Sequence, residues 1–209
     1  MKTTLRLASI ALLAALCFAD ETEPAKHELG LLLGAISSPE RTLTSPAGKL
    51  TTSPDVALQA NYGYRLYAGD RVAVYAEVHF LADALRDVSS NVARVSHDYA
   101  SLYLTPGIRV KFAPRSRFSP YAAVGGGYAL YEQSLFTQDQ TTPNGAPRFR
   151  HRGAFDAAGG ADYKFWRFVS LRGEFRYFYT GNPDFNAVAS NSGQHNLVGS
   201  GGIVLRWGK

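Results

Sequence analysis

The sequence contains one cysteine, at position 17, and a single methionine. One cysteine cannot form a disulfide framework, and no thiolate chemistry can be proposed for the rest of the chain. After residue 19 there is no run of about 18 apolar residues, so a transmembrane helix is excluded there. No metal-ligand spacing, glycine-rich phosphate loop or catalytic triad order stands out either. We therefore expect no cofactor and no metal.

The first 19 residues have the composition of a secretory signal peptide, because two basic residues precede a short apolar run. We expect cleavage after Ala19, so that 1–19 is the signal peptide and 20–209 is the mature domain. Lipid attachment at Cys17 is the alternative, although the large Leu16 precedes this cysteine. Cleavage would lower the formal charge from +5 to +3, which does not favour nucleic acid as a partner.

What the chain has instead is an alternation of apolar and polar residues. Between Val169 and Tyr179, Leu171 and Phe175 share one face while charged residues occupy the other. Period two predicts a strand with opposed faces. The pattern recurs about eight times, and no amphipathic helix could cover the apolar faces. We therefore expect these faces to contact lipid, and the sheet to close because lipid cannot satisfy an open strand edge.

The alternation predicts an all-β fold, an eight-stranded antiparallel up-and-down transmembrane β-barrel. The predicted strands cover residues 27–36, 56–66, 71–82, 99–112, 121–131, 154–165, 169–179 and 196–207. The connections alternate between short ones at 67–70, 113–119 and 166–167 and long polar ones at 37–55, 83–98, 132–153 and 180–195. Short periplasmic turns and long external loops are typical of outer-membrane barrels.

Four segments carry a family resemblance: LTPGIRVKF at 104–112, SPYAAVGGGY at 119–128, GGADYKF at 159–165 and SLRGEFRYF at 170–178. They resemble the small eight-stranded outer-membrane barrel family, which includes OmpX-like and opacity-type proteins and the OmpA membrane domain. The resemblance implies an outer-membrane location and insertion by the barrel assembly machinery. Such barrels usually end on an aromatic residue, whereas here Trp207 is followed by Gly208 and Lys209.

Charged residues at inward parity form the main candidate site. They are Arg65, Glu77, His79, Arg109, Lys111, Asp156, Asp162, Lys164, Arg172, Glu174, Arg176 and Arg206. An eight-stranded barrel is about filled by its own side chains, so we interpret this set as a structural polar network. A narrow or gated ion path is the alternative.

Aromatic residues at outward parity form two predicted girdles, which anchor a barrel at the two membrane surfaces. Those near the short turns are Tyr64, Phe112, Tyr163, Phe165 and Trp207. Those near the long loops are Phe80, Tyr128, Phe155 and Tyr179.

A basic cluster, Arg148, Arg150, His151 and Arg152, lies where the third long loop meets the sixth predicted strand. These arginines could bind lipopolysaccharide phosphates at the outer rim, because a guanidinium binds phosphate in a bidentate way. A solvated rim, or a strand extension with inward arginines, is the alternative.

We predict no enzymatic activity, although small barrels can house lipid A-modifying enzymes. No His-x-Ser pair is present, and His79 with Glu77 on one strand face is also what an interior ion pair would give. The preferred function is a structural or surface-interaction, adhesin-like role through the long loops. A small or gated pore comes second. Expected partners are outer-membrane lipid, lipopolysaccharide and an extracellular ligand, and we expect a monomer.

Overall fold

The computed structural model describes residues 23–45, 47–183, 185–189 and 193–208, so the predicted signal peptide lies outside the described part. Its strands are β1 (His27–Ser37), β2 (Arg41–Ser45), β3 (Ala47–Thr52), β4 (Asp55–Ala68), β5 (Val72–Ser90), β6 (Asp98–Phe112), β7 (Phe118–Gln133), β8 (Phe149–Lys164), β9 (Val169–Gly181), β10 (Val188–Ala189) and β11 (Gly193–Trp207). In these described ranges, no helix is long and apolar enough to cross a membrane.

Eight of these strands form a closed antiparallel ring in the order β1, β4, β5, β6, β7, β8, β9, β11. The ring closes where β11 pairs with β1, from His27 opposite Trp207 to Ser37 opposite Leu197. Each ring strand pairs with the ring strand that follows it in the chain. The short strands β2, β3 and β10 lie inside the long connections and are not part of the ring. The fold class predicted from the alternation is confirmed, and closure leaves no open edge in the ring.

The burial of side chains follows the predicted parity on all eight ring strands. On β9, Phe175 is 71% exposed and Leu171 is 49% exposed, whereas Arg172 and Glu174 are buried. The glycine-interrupted β7 keeps the same register, with Val124 and Tyr128 exposed and Ala123 and Ala129 buried on either side of the glycines. Apolar side chains therefore cover the outer wall, and charged and tyrosine side chains fill the lumen.

The long connections differ from the prediction, which treated them as polar loops. β5 continues to Ser90 and β8 begins at Phe149, so parts of the predicted loops 83–98 and 132–153 are strand. These extensions have no continuous apolar face, because their outer face no longer needs to meet lipid. One face of each extension is therefore polar and the other is mixed. A sequence with this pattern cannot be distinguished from that of a loop.

The four long connections pack into one body, which we call the cap: 38–54, 91–97, 134–148 and the described part of 182–192. β2 and β3 form a hairpin, and β3 continues the sheet by pairing with the end of β5. On its other side β2 pairs with β10 from the fourth connection. The second and third connections meet at a bridge between Ser96 and Thr137.

An apolar core lies between the cap and the lumen. Phe185 from the fourth connection contacts Tyr99, with ring centroids 4.8 Å apart, and both side chains are buried. Other buried members of the core on the cap side are Ile36, Leu43, Leu50, Val88, Val92 and Val95. The cap is thus held down by burial of apolar surface as well as by backbone pairing.

Candidate functional site

The charged side chains of the lumen are concentrated towards the short-turn end. We call nine of them the inner network: Glu28, Glu77, Arg109, Lys111, Asp156, Asp162, Arg172, Glu174 and Arg176. All nine are buried, and they come from five strands of the ring. An ionised group so far from water is tolerated only when it is paired and hydrogen-bonded.

Glycines leave the space that these large side chains need. One row of paired residues around the ring reads Glu28, Gly63, Glu77, Gly107, Gly125 and Asp156. A Cβ atom on Gly63 would lie 2.5 Å from Nη2 of Arg109, and one on Gly125 would clash with Oδ1 of Asp156. The glycine run of β7 therefore makes room for a bulky interior neighbour.

Arg109 and Lys111 of β6 hold the centre of the inner network. Arg109 Nη2 is 2.8 Å from Glu28 Oε2, and its Nε is 2.6 Å from Glu77 Oε2. Lys111 Nζ lies 2.5 Å from Glu28 Oε1 and 2.6 Å from Asp162 Oδ2. Glu28 and Asp162 thus each face two or more cations, which offsets the cost of removing them from water.

Arg172 and Arg176 of β9 complete the network. Arg172 donates two bonds to Asp162, from Nε at 2.7 Å and from Nη2 at 2.9 Å, in the bidentate geometry that favours arginine over lysine. Arg176 bonds to Glu174 from Nε at 2.9 Å, to Glu77 at 2.8 Å and to Asp156. Glu77 therefore links the Arg109 group to the Arg176 group.

The lumen towards the long loops holds a different set, which we call the outer network: Asp83, Arg86, Tyr99, Tyr103, Tyr131, Thr180, Gln194 and Asn196. Arg86 Nη1 donates to the Tyr99 hydroxyl at 2.9 Å, and Asn196 Nδ2 donates to the Tyr103 hydroxyl at 2.9 Å. The Tyr103 and Tyr131 hydroxyls are 3.2 Å apart. Most of these contacts join neutral groups.

His79 lies between the two networks and is fully buried. Its Nε2 is 2.9 Å from Gln59 Oε1, and its ring lies against Phe178. Glu77, two residues away, forms ion pairs with Arg109 and Arg176 instead. The two side chains therefore do not form the Glu–His pair that the sequence left open. No group of three or more metal-binding side chains occurs in the ranges that the structure covers.

Three charged residues of the predicted set lie near the short-turn end, outside the inner network. Arg65 is half-buried and donates to the Pro24 carbonyl, and Lys164 is also half-buried. Arg206 is buried, and its Nη2 donates to the Trp166 carbonyl at 2.9 Å.

Sequence reasoning missed Glu28, Asp83 and Arg86 as members of the interior. Glu28 lies near the start of β1, and its cationic partners are 83 and 144 residues away in the chain. Asp83 and Arg86 fell inside a predicted loop, whereas the structure places them on β5. Inward parity extended past residue 82 reaches Asp83, but the register shifts between Asp83 and Arg86, so the same parity would place Arg86 on the outer face.

The rim arginines do not converge on one outward site. Arg148 pairs with Glu132 at 2.5 Å, and its side chain is about half exposed. Arg150 and Arg152 are half-buried on the β8 extension, and Arg152 Nε donates to the Asn182 carbonyl at 2.5 Å. His151 is exposed and contacts the Tyr128 hydroxyl.

Side chains join the four connections of the cap across long sequence distances. Gln138 Nε2 donates to the Val88 carbonyl at 2.6 Å and to the Ser96 carbonyl at 2.8 Å. Asn186 Nδ2 donates to the Arg94 carbonyl at 3.2 Å and contacts the Asn144 amide oxygen. Arg94 Nη2 donates to the Ser45 carbonyl of the first connection at 3.2 Å, so the cap is one surface built from all four connections.

Comparison with known proteins agrees with this architecture. The family model described as outer membrane protein beta-barrel domain matches residues 6–193. The outer membrane protein OprG from Pseudomonas aeruginosa is similar in structure, with a TM-score of 0.58 at 12% identity over 90% of this chain and 98% of OprG. Neisserial surface protein A gives a TM-score of 0.55 at 12% identity, covering 89% and 100%. At this identity the likeness shows the fold. No curated protein matches the sequence.

Proposed function

The chain belongs to the outer-membrane protein β-barrel family, and on that premise we propose that it anchors a folded interaction surface outside the outer membrane. The structure of the cap supports this proposal. Its four connections are not separate loops, because they share backbone pairing, side-chain bonds and an apolar core. Loops on a rigid scaffold are where recognition is usually placed. An ordered surface also loses less conformational freedom on binding than flexible loops do.

The filled lumen supports an anchoring role over a pore. Side chains of the inner and outer networks occupy the interior along the length of the barrel, and the cap core covers the long-loop end. An eight-stranded ring has little interior space to spare. We expect no steady conductance steps when the folded protein is inserted into planar bilayers, with a sixteen-stranded porin as the positive control. Reproducible conductance steps would contradict the anchoring role and indicate a narrow pore.

We propose no catalytic role for the chain. His79 is enclosed in the lumen, and Glu77 is held by two arginines, so neither is available to a lipid substrate at the wall. The barrel itself is proposed to be inserted by the assembly machinery as a monomer. Trp207 at the end of β11 stacks on His27 with ring centroids 5.5 Å apart, in the parity that a terminal aromatic residue would take.

Lipopolysaccharide is the proposed lipid partner of the outer rim. Arg148 is the arginine best placed to contact its phosphates, because its side chain is about half exposed beside Glu132. Arg150 and Arg152 lie further towards the lumen, and Arg152 supports the fourth connection. The three arginines therefore contribute unequally to this contact.

Adhesion of cells that display the chain tests the surface role. Ala93 and Thr141 are exposed on the cap, and Ala93 lines a depression of about 410 Å³ there. The double variant Ala93→Arg and Thr141→Arg should reduce attachment to immobilised glycans or matrix proteins, while heat-modifiable gel mobility stays normal. Equal attachment of cells with and without the chain would reject the surface role and leave a structural one.

A further inference from the structure

The short-turn end carries exposed aromatic side chains that the lumen and the cap do not explain. Residues 165–168 connect β8 to β9, and three of the four are aromatic. Phe165 is 70% exposed, Trp166 is 71% exposed and Phe168 is 57% exposed. In a barrel with periplasmic short turns, this segment lies at the periplasmic surface of the outer membrane.

A groove of about 430 Å³ opens beside this turn. Its lining residues are Arg117, Tyr163, Lys164, Phe165, Trp166 and Arg167. Half of them are cationic and half are aromatic, and none is acidic. Aromatic rings favour the boundary between headgroups and acyl chains, and arginine favours phosphate.

Hydrogen bonds fix the shape of the groove. Arg206 Nη2 donates to the Trp166 carbonyl at 2.9 Å and to the Arg167 carbonyl at 3.4 Å. The amide of Lys164 donates to the Arg117 carbonyl at 2.7 Å, which joins the two walls. The groove is therefore formed before any ligand arrives, and the buried Arg206 adds positive charge behind it.

Another arginine at this end of the barrel is neutralised within the chain. Arg115, on the same β6–β7 turn as Arg117, pairs with Asp70 of the β4–β5 turn at 3.0 Å. Neither Arg117 nor Arg167 forms an ion pair within the residues that the structure describes, and the Arg167 guanidinium lies over the Phe168 ring, 5.3 Å from its centroid. The guanidinium groups of Arg117 and Arg167 are therefore available to an anionic ligand.

We propose that this groove binds the phosphate headgroup of an anionic phospholipid in the periplasmic leaflet. The guanidinium groups of Arg117 and Arg167 would contact the phosphate, and the rings of Phe165 and Trp166 would lie along the upper acyl chains. A headgroup with net negative charge, such as phosphatidylglycerol, complements the groove better than the zwitterionic phosphatidylcholine. The site is separate from the cap, so it holds whether or not the cap binds a ligand.

Tryptophan fluorescence in lipid vesicles tests this site. The chain has two tryptophans, so Trp207→Phe leaves Trp166 as the reporter. The folded variant is placed in phosphatidylcholine vesicles that contain a minor fraction of brominated phosphatidylglycerol or of brominated phosphatidylcholine. We expect the quenching to correspond to at least about fivefold enrichment of phosphatidylglycerol at Trp166, because each arginine near an anionic lipid surface favours binding by about that factor.

Charge removal then identifies the residues responsible. In the same background, Arg117→Gln with Arg167→Gln should bring the enrichment close to one, while Arg94→Gln, an exposed arginine of the cap, should leave it unchanged. Heat-modifiable mobility verifies that each variant is folded. Equal quenching by both brominated lipids, or enrichment that survives the double substitution, would overturn the proposal. Loss of enrichment on adding millimolar inorganic phosphate would assign the groove to free phosphate and overturn it as a lipid site.

Discussion

The two halves of the lumen are built on the same strands but are held together by different chemistry. On β9 the inward residues change from Arg172, Glu174 and Arg176 to Phe178 and Thr180 as the strand runs towards the cap. On β6 the change runs the other way along the chain, from tyrosine to arginine and lysine. The inner half therefore relies on ion pairs, whereas the outer half combines the buried Arg86–Asp83 ion pair with mainly neutral hydrogen bonds and an apolar core.

The difference follows from what covers each half. The outer half lies under the cap, whose apolar residues form a core with Tyr99, Tyr103 and Phe178. The inner half has only short turns and residues 24–26 at its end, so its long side chains are held mainly by each other. Charged groups in such a place are sensitive to the loss of a partner, because the remaining charge stays buried and unpaired. Neutral hydrogen bonds are less sensitive to such a loss.

The largest expected effect comes from breaking the inner network at Arg172. Arg172→Met keeps the length of the side chain but removes both bonds to Asp162. We expect the free energy of unfolding in lipid vesicles to fall by about 3–5 kcal/mol, measured by reversible denaturant titration. The control Arg148→Met removes a half-exposed pair at the rim and should cost less than about 1 kcal/mol. If Arg172→Met lost no more stability than the Arg148→Met control, the conclusion that the inner half depends on its ion pairs would be contradicted.

A smaller effect is expected in the outer network. Tyr103→Phe removes a hydroxyl that accepts from Asn196 Nδ2 at 2.9 Å and contacts the Tyr131 hydroxyl. We expect a loss of about 1–2 kcal/mol, because one neutral hydrogen-bonding group is removed from a buried site. Tyr163→Phe, on the exposed outer wall, should change stability by less than about 0.5 kcal/mol. Equal losses at the two tyrosines would show that burial of this hydroxyl is unimportant.

The strand register could be predicted because lipid imposes one rule on every span. An apolar residue must occupy each outward position, so Leu171 and Phe175 identify the inward side of β9 without any knowledge of its neighbours. The same rule fails above the membrane, where water replaces lipid. It therefore could not identify the extension of β5 that carries Asp83 and Arg86, nor the β2–β3 hairpin.

Pairing inside the lumen could not be predicted from the sequence. The parity of Glu28, Lys111 and Arg172 is clear from their own strands, but their contacts depend on the tilt and stagger of the closed ring. The cap depends on side chains such as Gln138 and Asn186, which have no distinguishing local pattern. Their partners become visible only when the four connections are folded together.

The smallest expected effect concerns acid and the cap turn at Asp139. Hydrogen bonds from the Thr142 hydroxyl at 2.5 Å and from the Thr142 and Thr141 amides lower the pKa of this exposed carboxyl below its ordinary value of 3.8. The stabilisation of the turn is therefore complete above pH 3.8 and is lost as the pH falls through the lowered pKa. We expect amide exchange at Thr141 and Thr142, corrected for its intrinsic rate, to stay constant from pH 7 to 5 and to rise a fewfold at lower pH. Asp139→Asn should remove this dependence, and a rise that persists in the variant would place the acid sensitivity elsewhere in the cap.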